Sequence, residues 1–185
     1  MNLLALKVTL QCYFGFNYWY VGIIAVVVMS STLVFKYASK GKLTRGDISV
    51  SMLFALYFTL LIGVMLLNRE VDENRRINWD LFWSYRKCFV EGDVRLLEQM
   101  IFNVIAFIPW PILYAQVFPK MKKFLWGVGS AFLFSLFVEI AQLVFKVGLF
   151  EFDDMFHNTL GAVIGYGILS LGRVIISRYR LRKSN

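Results

Sequence analysis

Two short spacings put acids and amides inside sequence otherwise suited only to lipid. Glu139 and Gln142 lie three apart in the otherwise uncharged run from Phe124 to Phe145, and on a helix they share one face. Asp154 and Asn158 lie four apart where the next apolar run begins, with His157 beside them. A carboxylate at bilayer depth costs at least a few kcal/mol unless it is paired, protonated or turned to a wet cavity. Such a set can hold the polar part of a ligand, or it can move protons with Glu139 and Asp154 as the candidate catalytic acid and base. Asp154 suits an ionised role if it stands in the first turn of a helix, where the dipole favours negative charge. Asn103 and the Phe107-Ile-Pro109-Trp-Pro111 stretch add a further amide and a helix break, since two prolines remove two backbone donors. The ligand pocket expected from these residues comprises Asn103, Pro109, Glu139, Gln142, Asp154, His157 and Asn158. A plainer reading competes with it: Asn103, Gln142 and Asn158 as hydrogen-bonding glue between helices, His157 as a structural residue, and Glu151 and Asp153 as solvated turn residues. No Ser/His/Asp order, HExxH, phosphate loop or Cys/His cluster occurs, so no metal and no cofactor are expected.

The elements that must position these residues follow from the apolar blocks. Of 185 residues 58% are hydrophobic, and they fall in blocks as long as a bilayer is thick. Five spans are predicted: Asn17–Phe35, Ile48–Leu67, about Gln99–Phe118, Phe124–Phe145 and about Phe156–Ile176. Helices are the economical choice, because unsatisfied backbone groups are prohibitively costly in lipid. The expected fold is therefore an all-α polytopic bundle forming a single membrane domain over residues 1–185. The first apolar run follows only Lys7 and lacks a small-residue cleavage site, so it reads as a retained helix and not a cleaved signal peptide. Gly161 and Gly165 form a GxxxG pair whose ordinary meaning is close helix packing against the third or fourth span. Cys12 and Cys88 have neither metal-ligand spacing nor a reason to form a disulfide in such a bundle.

Net charge is +8, but the basic residues cluster beside apolar blocks, which points to topology and anionic headgroups and away from nucleic acid. Lys36, Lys40, Lys42 and Arg45, then Lys120, Lys122 and Lys123, then Arg178, Arg180, Arg182 and Lys183 all fall on one side of a five-span chain. That side is predicted to be cytoplasmic, leaving the N-terminus, the Asn68–Glu98 connection and the Lys146–Asp154 turn outside. The long connection mixes six basic residues with seven acids around an aromatic centre, Ile77 to Arg86. Trp79, Phe82, Trp83 and Arg86 have the spacing of one helix face, so the segment is expected to lie flat at the headgroups, with Asp80 and Ser84 toward water. Arg76 and Arg86 would meet anionic headgroups there.

In order and spacing the chain resembles the VanZ-like family of bacterial membrane proteins over about residues 76–166. The matching pieces are Arg76-Ile-Asn78 with the Phe82–Tyr85 aromatics, Asn103-Val-Ile-Ala-Phe107-Ile-Pro109, and Ser135-Leu-Phe-Val-Glu139-Ile-Ala-Gln142. They close with Asp153-Asp154-Met-Phe-His157-Asn158-Thr-Leu-Gly161-Ala-Val-Ile-Gly165. The specific part is E-x-x-Q followed by D-D-x-x-x-N-T-x-G. The chain departs from the family at Pro111, where glycine is usual, and at Leu149, where many members carry arginine. The resemblance implies a small multi-pass protein of the bacterial cell membrane, found especially in Gram-positive organisms. It also implies lowered sensitivity to teicoplanin-class glycopeptide and lipoglycopeptide antibiotics.

The expected function is that of a non-enzymatic envelope protein binding or shielding an amphiphilic or lipid-linked ligand at the outer leaflet. Its expected partners are membrane lipids together with a lipid-linked precursor or a lipoglycopeptide. The alternative is a membrane enzyme acting on a lipid-linked envelope precursor through Glu139 and Asp154. A proton-coupled transporter is weaker, since five spans without an internal repeat are few for alternating access.

Overall fold

The computed structural model describes residues 18–67, 76–119 and 122–184. In chain order its elements are α1 (Tyr18–Lys40), α2 (Arg45–Ile62, continued by a π-helical turn Gly63–Leu67), β1 (Arg76–Asn78), α3 (Trp83–Glu91) and α4 (Val94–Phe107). There follow α5 (Pro109–Val117), α6 (Phe124–Phe145), β2 (Leu149–Glu151) and α7 (Phe152–Ser184). Five helical stretches are long and apolar enough to cross a membrane: 21–40, 45–67, 94–117, 124–145 and 152–183. The all-α, five-span class read from the sequence is the one found. The fourth span has the expected bounds, whereas the first, second, third and fifth run past their charged ends. Long basic side chains tolerate this, because their stems stay on the helix while the charges reach the headgroups. Cys12 and the Arg69–Arg75 stretch lie outside the described residues, and Cys88 is a half-buried free thiol.

The chain divides into two compact units, Met1–Ile77 with Val138–Phe150, and Asn78–Phe137 with Glu151–Asn185. In the first, α1 and α2 form an antiparallel hairpin around a turn in which Gly41 takes φ +70°, a conformation glycine adopts without Cβ strain. Thr44 and Asp47 make a reciprocal capping box at the start of α2. The same Asp47 carboxylate accepts from Lys36 Nζ at 3.0 Å and Lys40 Nζ at 2.7 Å. Lys36 is buried, and a buried cation needs its counter-charge close by. Asp47 therefore does more than offset the loop's charge: it allows a lysine to sit inside the hairpin. One turn further in, Thr32 and Ser51 continue the same register, both buried. The unit also holds most of a two-stranded sheet pairing β1 with β2, which apolar periodicity did not signal because each strand is only three residues long.

In the second unit α4 and α7 run side by side, with α5 against α7 and α3 against α4. The third span breaks where the prolines predict: α4 ends at Phe107, and Ile108 leads into Pro109, the first residue of α5. At the break the Ile108 N–H bonds to Ile105 O in place of the usual α-helical partner, Val104 O. The Val104 carbonyl faces Gly161, and the Ile108 carbonyl faces Gly165; a Cβ at either glycine would overlap that oxygen. The GxxxG pair thus packs α7 onto the third span, as its spacing predicts. Pro111 fills the remaining space, touching both the Gly165 and Gly127 positions. A proline at 111 is thereby accommodated by glycines on two neighbouring helices. Trp110 stacks on Phe134 with ring centroids 4.7 Å apart and donates its indole N–H to Ser130 Oγ at 3.0 Å.

Candidate functional site

In the second unit the polar residues form a ladder between α4 and α7. Gln99 Nε2 lies 3.4 Å from both carboxylate oxygens of Asp154, and Asp154 stands in the first turn of α7, where the helix dipole favours its charge. One turn further in, at the same i+4 step on each helix, come Asn103 and Asn158, 5% and 1% exposed. Asn158 Nδ2 donates to Ser135 Oγ of α6 at 2.8 Å. Its Oδ1, and the Nδ2 of Asn103, are buried with no hydrogen-bond partner among the described residues. An unmatched donor on α4 and an unmatched acceptor on α7 each cost about 1–3 kcal/mol while unmade. One to two turns below, the Gly161 and Gly165 contacts pack α7 tightly against the third span. Pro109 opens α5 half-buried, and Pro111 is the proline that meets the glycine face.

A second polar set clamps the long connection to the start of α7. Asp153 was expected in solvent, but it is 1% exposed. Its carboxylate accepts from the Phe82 N–H, the Ser84 hydroxyl and, at 3.0 Å, the Ser84 N–H. Phe82 takes φ +66°, and its N–H together with that of Ser84 forms a concave backbone nest of the kind that holds anions. This corrects two further expectations. Ser84 is buried and does not point to water, and Trp79, Phe82, Trp83 and Arg86 do not share one helix face. The helix begins only at Trp83, because the left-handed Phe82 interrupts it. Asp80 is exposed as expected. Glu151, also expected in a solvated turn, is 7% exposed in β2. Beside the clamp, His157 Nε2 is 2.8 Å from Tyr85 Oη. Burial, helped by the negative charge of Asp153, holds the Tyr85 hydroxyl above the usual phenol range. Tyr85 is therefore a neutral phenol near pH 7.

In the first unit Glu139 and Gln142 are 1% and 2% exposed, on one face of α6. Gln142 Nε2 donates to Met65 O at 2.9 Å. Met65 sits in the π-helical turn, where the ordinary backbone ladder is disturbed and a side-chain donor is useful. Gln142 was expected in a pocket of spans three, four and five, yet its amide is committed to span two. Gly148 permits this, since a Cβ there would lie 3.0 Å from Gln142 Oε1. Among the described residues no group of three or more His, Cys, Asp or Glu could hold a metal ion.

Gln99, Ser135, Ser84 and Tyr85 were missed as site residues. Gln99 had a usable signal: Gln99/Asn103 and Asp154/Asn158 repeat the same i, i+4 amide and acid spacing on two different spans. Ser84 and Tyr85 had none, since the turn that aims them depends on Asp153, 69 residues later than Ser84.

Five helices long and apolar enough to cross a membrane, carrying buried acids and amides, define a polytopic α-helical membrane protein. The chain belongs to the VanZ/LLP1 family, whose family model matches residues 50–174. It is 28% identical over 143 residues to Protein VanZ of Enterococcus faecium, covering 74% of this chain and 83% of that protein. No solved structure matches the chain.

Proposed function

We propose that this protein binds or shields an amphiphilic or lipid-linked molecule of the outer leaflet of the bacterial cell membrane. Through that binding it lowers sensitivity to glycopeptide and lipoglycopeptide antibiotics. The N-terminus lies outside and the C-terminus in the cytoplasm, so the Asp154–Gln99 end of the α4–α7 pair is the outer one. The observation that carries this reading is the two unmatched amide atoms on the neighbouring helices α4 and α7, Asn103 Nδ2 and Asn158 Oδ1. If the two residues were only glue between helices, bonding each other directly would satisfy both. Left open, they suit a ligand that brings both an acceptor and a donor, such as an amide or a hydroxyl. Asp154 at the outer end adds a charge-assisted acceptor. In the first unit Glu139 is a buried ionisable group that a neutral amide would replace at less cost if its role were packing alone.

The test is antibiotic susceptibility of a sensitive Gram-positive host expressing each variant at matched membrane levels. Asp154→Asn should weaken protection by roughly tenfold or more, as expected for a lost hydrogen bond to a charged group. Glu139→Gln should give a smaller, ligand-dependent loss. Unchanged protection in both variants would remove the site. Complete loss in Glu139→Gln alone would favour the enzyme reading, since losing a general acid or base typically costs about 100-fold or more.

A further inference from the structure

A recess of about 470 Å³ opens on the long connection, lined by Trp79, Asp80, Leu81, Phe82, Trp83 and Arg86. The Trp79 ring contacts Phe152 at 5.4 Å and the Phe82 ring contacts Phe156 at 5.2 Å. Phe152 and Phe156 belong to the first two turns of the last span, so the recess stands at the bilayer boundary. Trp79 and Phe82 are 66% and 46% exposed, which leaves aromatic surface uncovered at headgroup level. Asp80 and Arg86 both line the recess, yet among the described residues neither makes an ion pair. Lys87 adds a second cation, its Nζ 5.4 Å from the centre of the Trp83 ring.

We infer that this recess is a binding site for the headgroup of a zwitterionic phospholipid, with the phosphate at Arg86 and Lys87 and the ammonium at Asp80 against Trp79 and Phe82. Each half has its own chemistry. Guanidinium groups hold phosphate oxygens through paired N–H donors, and an ammonium is drawn to aromatic faces and to a carboxylate. An anionic headgroup would satisfy Arg86 but press against Asp80. A cationic amphiphile would do the reverse. Only a ligand carrying both charges answers both ends, and at this depth phospholipid is the abundant source of such a ligand. The site is separate from the polar residues between α4 and α7 and does not depend on them.

Native mass spectrometry of the detergent-purified protein tests the assignment, using phosphatidylethanolamine and phosphatidylglycerol with identical acyl chains. The wild-type protein should hold phosphatidylethanolamine about tenfold more tightly, the equivalent of about 1.4 kcal/mol. Asp80→Asn should abolish that preference by lowering phosphatidylethanolamine binding to the phosphatidylglycerol level. Arg86→Gln should weaken both lipids. Both side chains are exposed, so circular dichroism should be unchanged. O-phosphoethanolamine, the headgroup without chains, separates a lipid site from a site for a soluble phosphate ester. The lipid should bind at least about tenfold better than this probe. Equal binding of the two would overturn the lipid assignment. No preference in the wild type, or a preference that survives Asp80→Asn, would overturn the site. Because the readout is lipid binding, failure here leaves the proposed α4–α7 site untouched, and failure of antibiotic protection leaves this one untouched.

Discussion

Gly161→Ala should destabilise the protein by roughly 3 kcal/mol, the upper part of the range for overpacking a tight interface. Alanine is ordinarily a better helix residue than glycine by about 1 kcal/mol, so local propensity predicts the opposite sign. The packing decides. A Cβ at Gly161 would overlap the Val104 carbonyl oxygen and crowd Phe107 Cβ at 3.1 Å. The obstacle is mainly backbone, which has no rotamer to change, so the whole of α7 must move away from α4. Gly165→Ala should behave alike, since its Cβ would overlap the Ile108 carbonyl and lie 3.0 Å from Pro111 Cγ. Gly167→Ala is the control, because nothing lies within 4 Å of its Cβ position. Thermal unfolding in a mild detergent should show sharp losses for the first two and none for the third. Similar melting of all three would mean that the α4–α7 contact is looser than described.

Asp153→Ala should release the long connection at a cost of roughly 2–4 kcal/mol. Three donors converge on this buried carboxylate, and bonds to charged groups contribute more than neutral ones. Removing it leaves two backbone N–H groups and a hydroxyl unmatched, and it leaves Phe82 in a left-handed conformation with nothing to hold it. Hydrogen exchange should then accelerate across Trp79–Glu91 while α4 and the core of α7 stay protected. Phe82→Gly supplies the complement. Glycine adopts that φ without strain, so in the Asp153→Ala background it should recover part of the local order. If exchange in Trp79–Glu91 is the same with and without Asp153, the clamp contributes nothing.

The spans were legible because twenty-residue apolar blocks bounded by charge admit few alternatives in a bilayer. The glycine pair was legible for a related reason, since small residues at i and i+4 within a span have few uses besides close packing. The candidate site was legible only as a set of costly residues. Sequence spacing places Glu139 with Gln142, and Asp154 with Asn158, because each pair lies on one helix. It does not say which helix each face meets. Gln142 illustrates the gap: its partner, Met65 O, is 77 residues away in a π-helical turn, and no periodicity announces such a turn. Asp153 and Asp154 illustrate it again. They are adjacent identical residues, yet one is enclosed by the backbone of the long connection and the other meets a side chain of α4. A helix rotates successive residues by about 100°, so neighbours in sequence face different partners. The aromatic stripe misled because spacing assumes an unbroken helix, and a single left-handed residue at 82 removes that assumption.

The central claim is that Asn103 and Asn158 are left open for a ligand, and a high-resolution structure determined in a lipidic environment tests it most directly. Non-protein density is expected between α4 and α7, within hydrogen-bond distance of both Asn103 Nδ2 and Asn158 Oδ1 and continuous as far as Asp154 and Gln99. The contradicting result is a direct bond between the two asparagines, with no space between α4 and α7 for anything else.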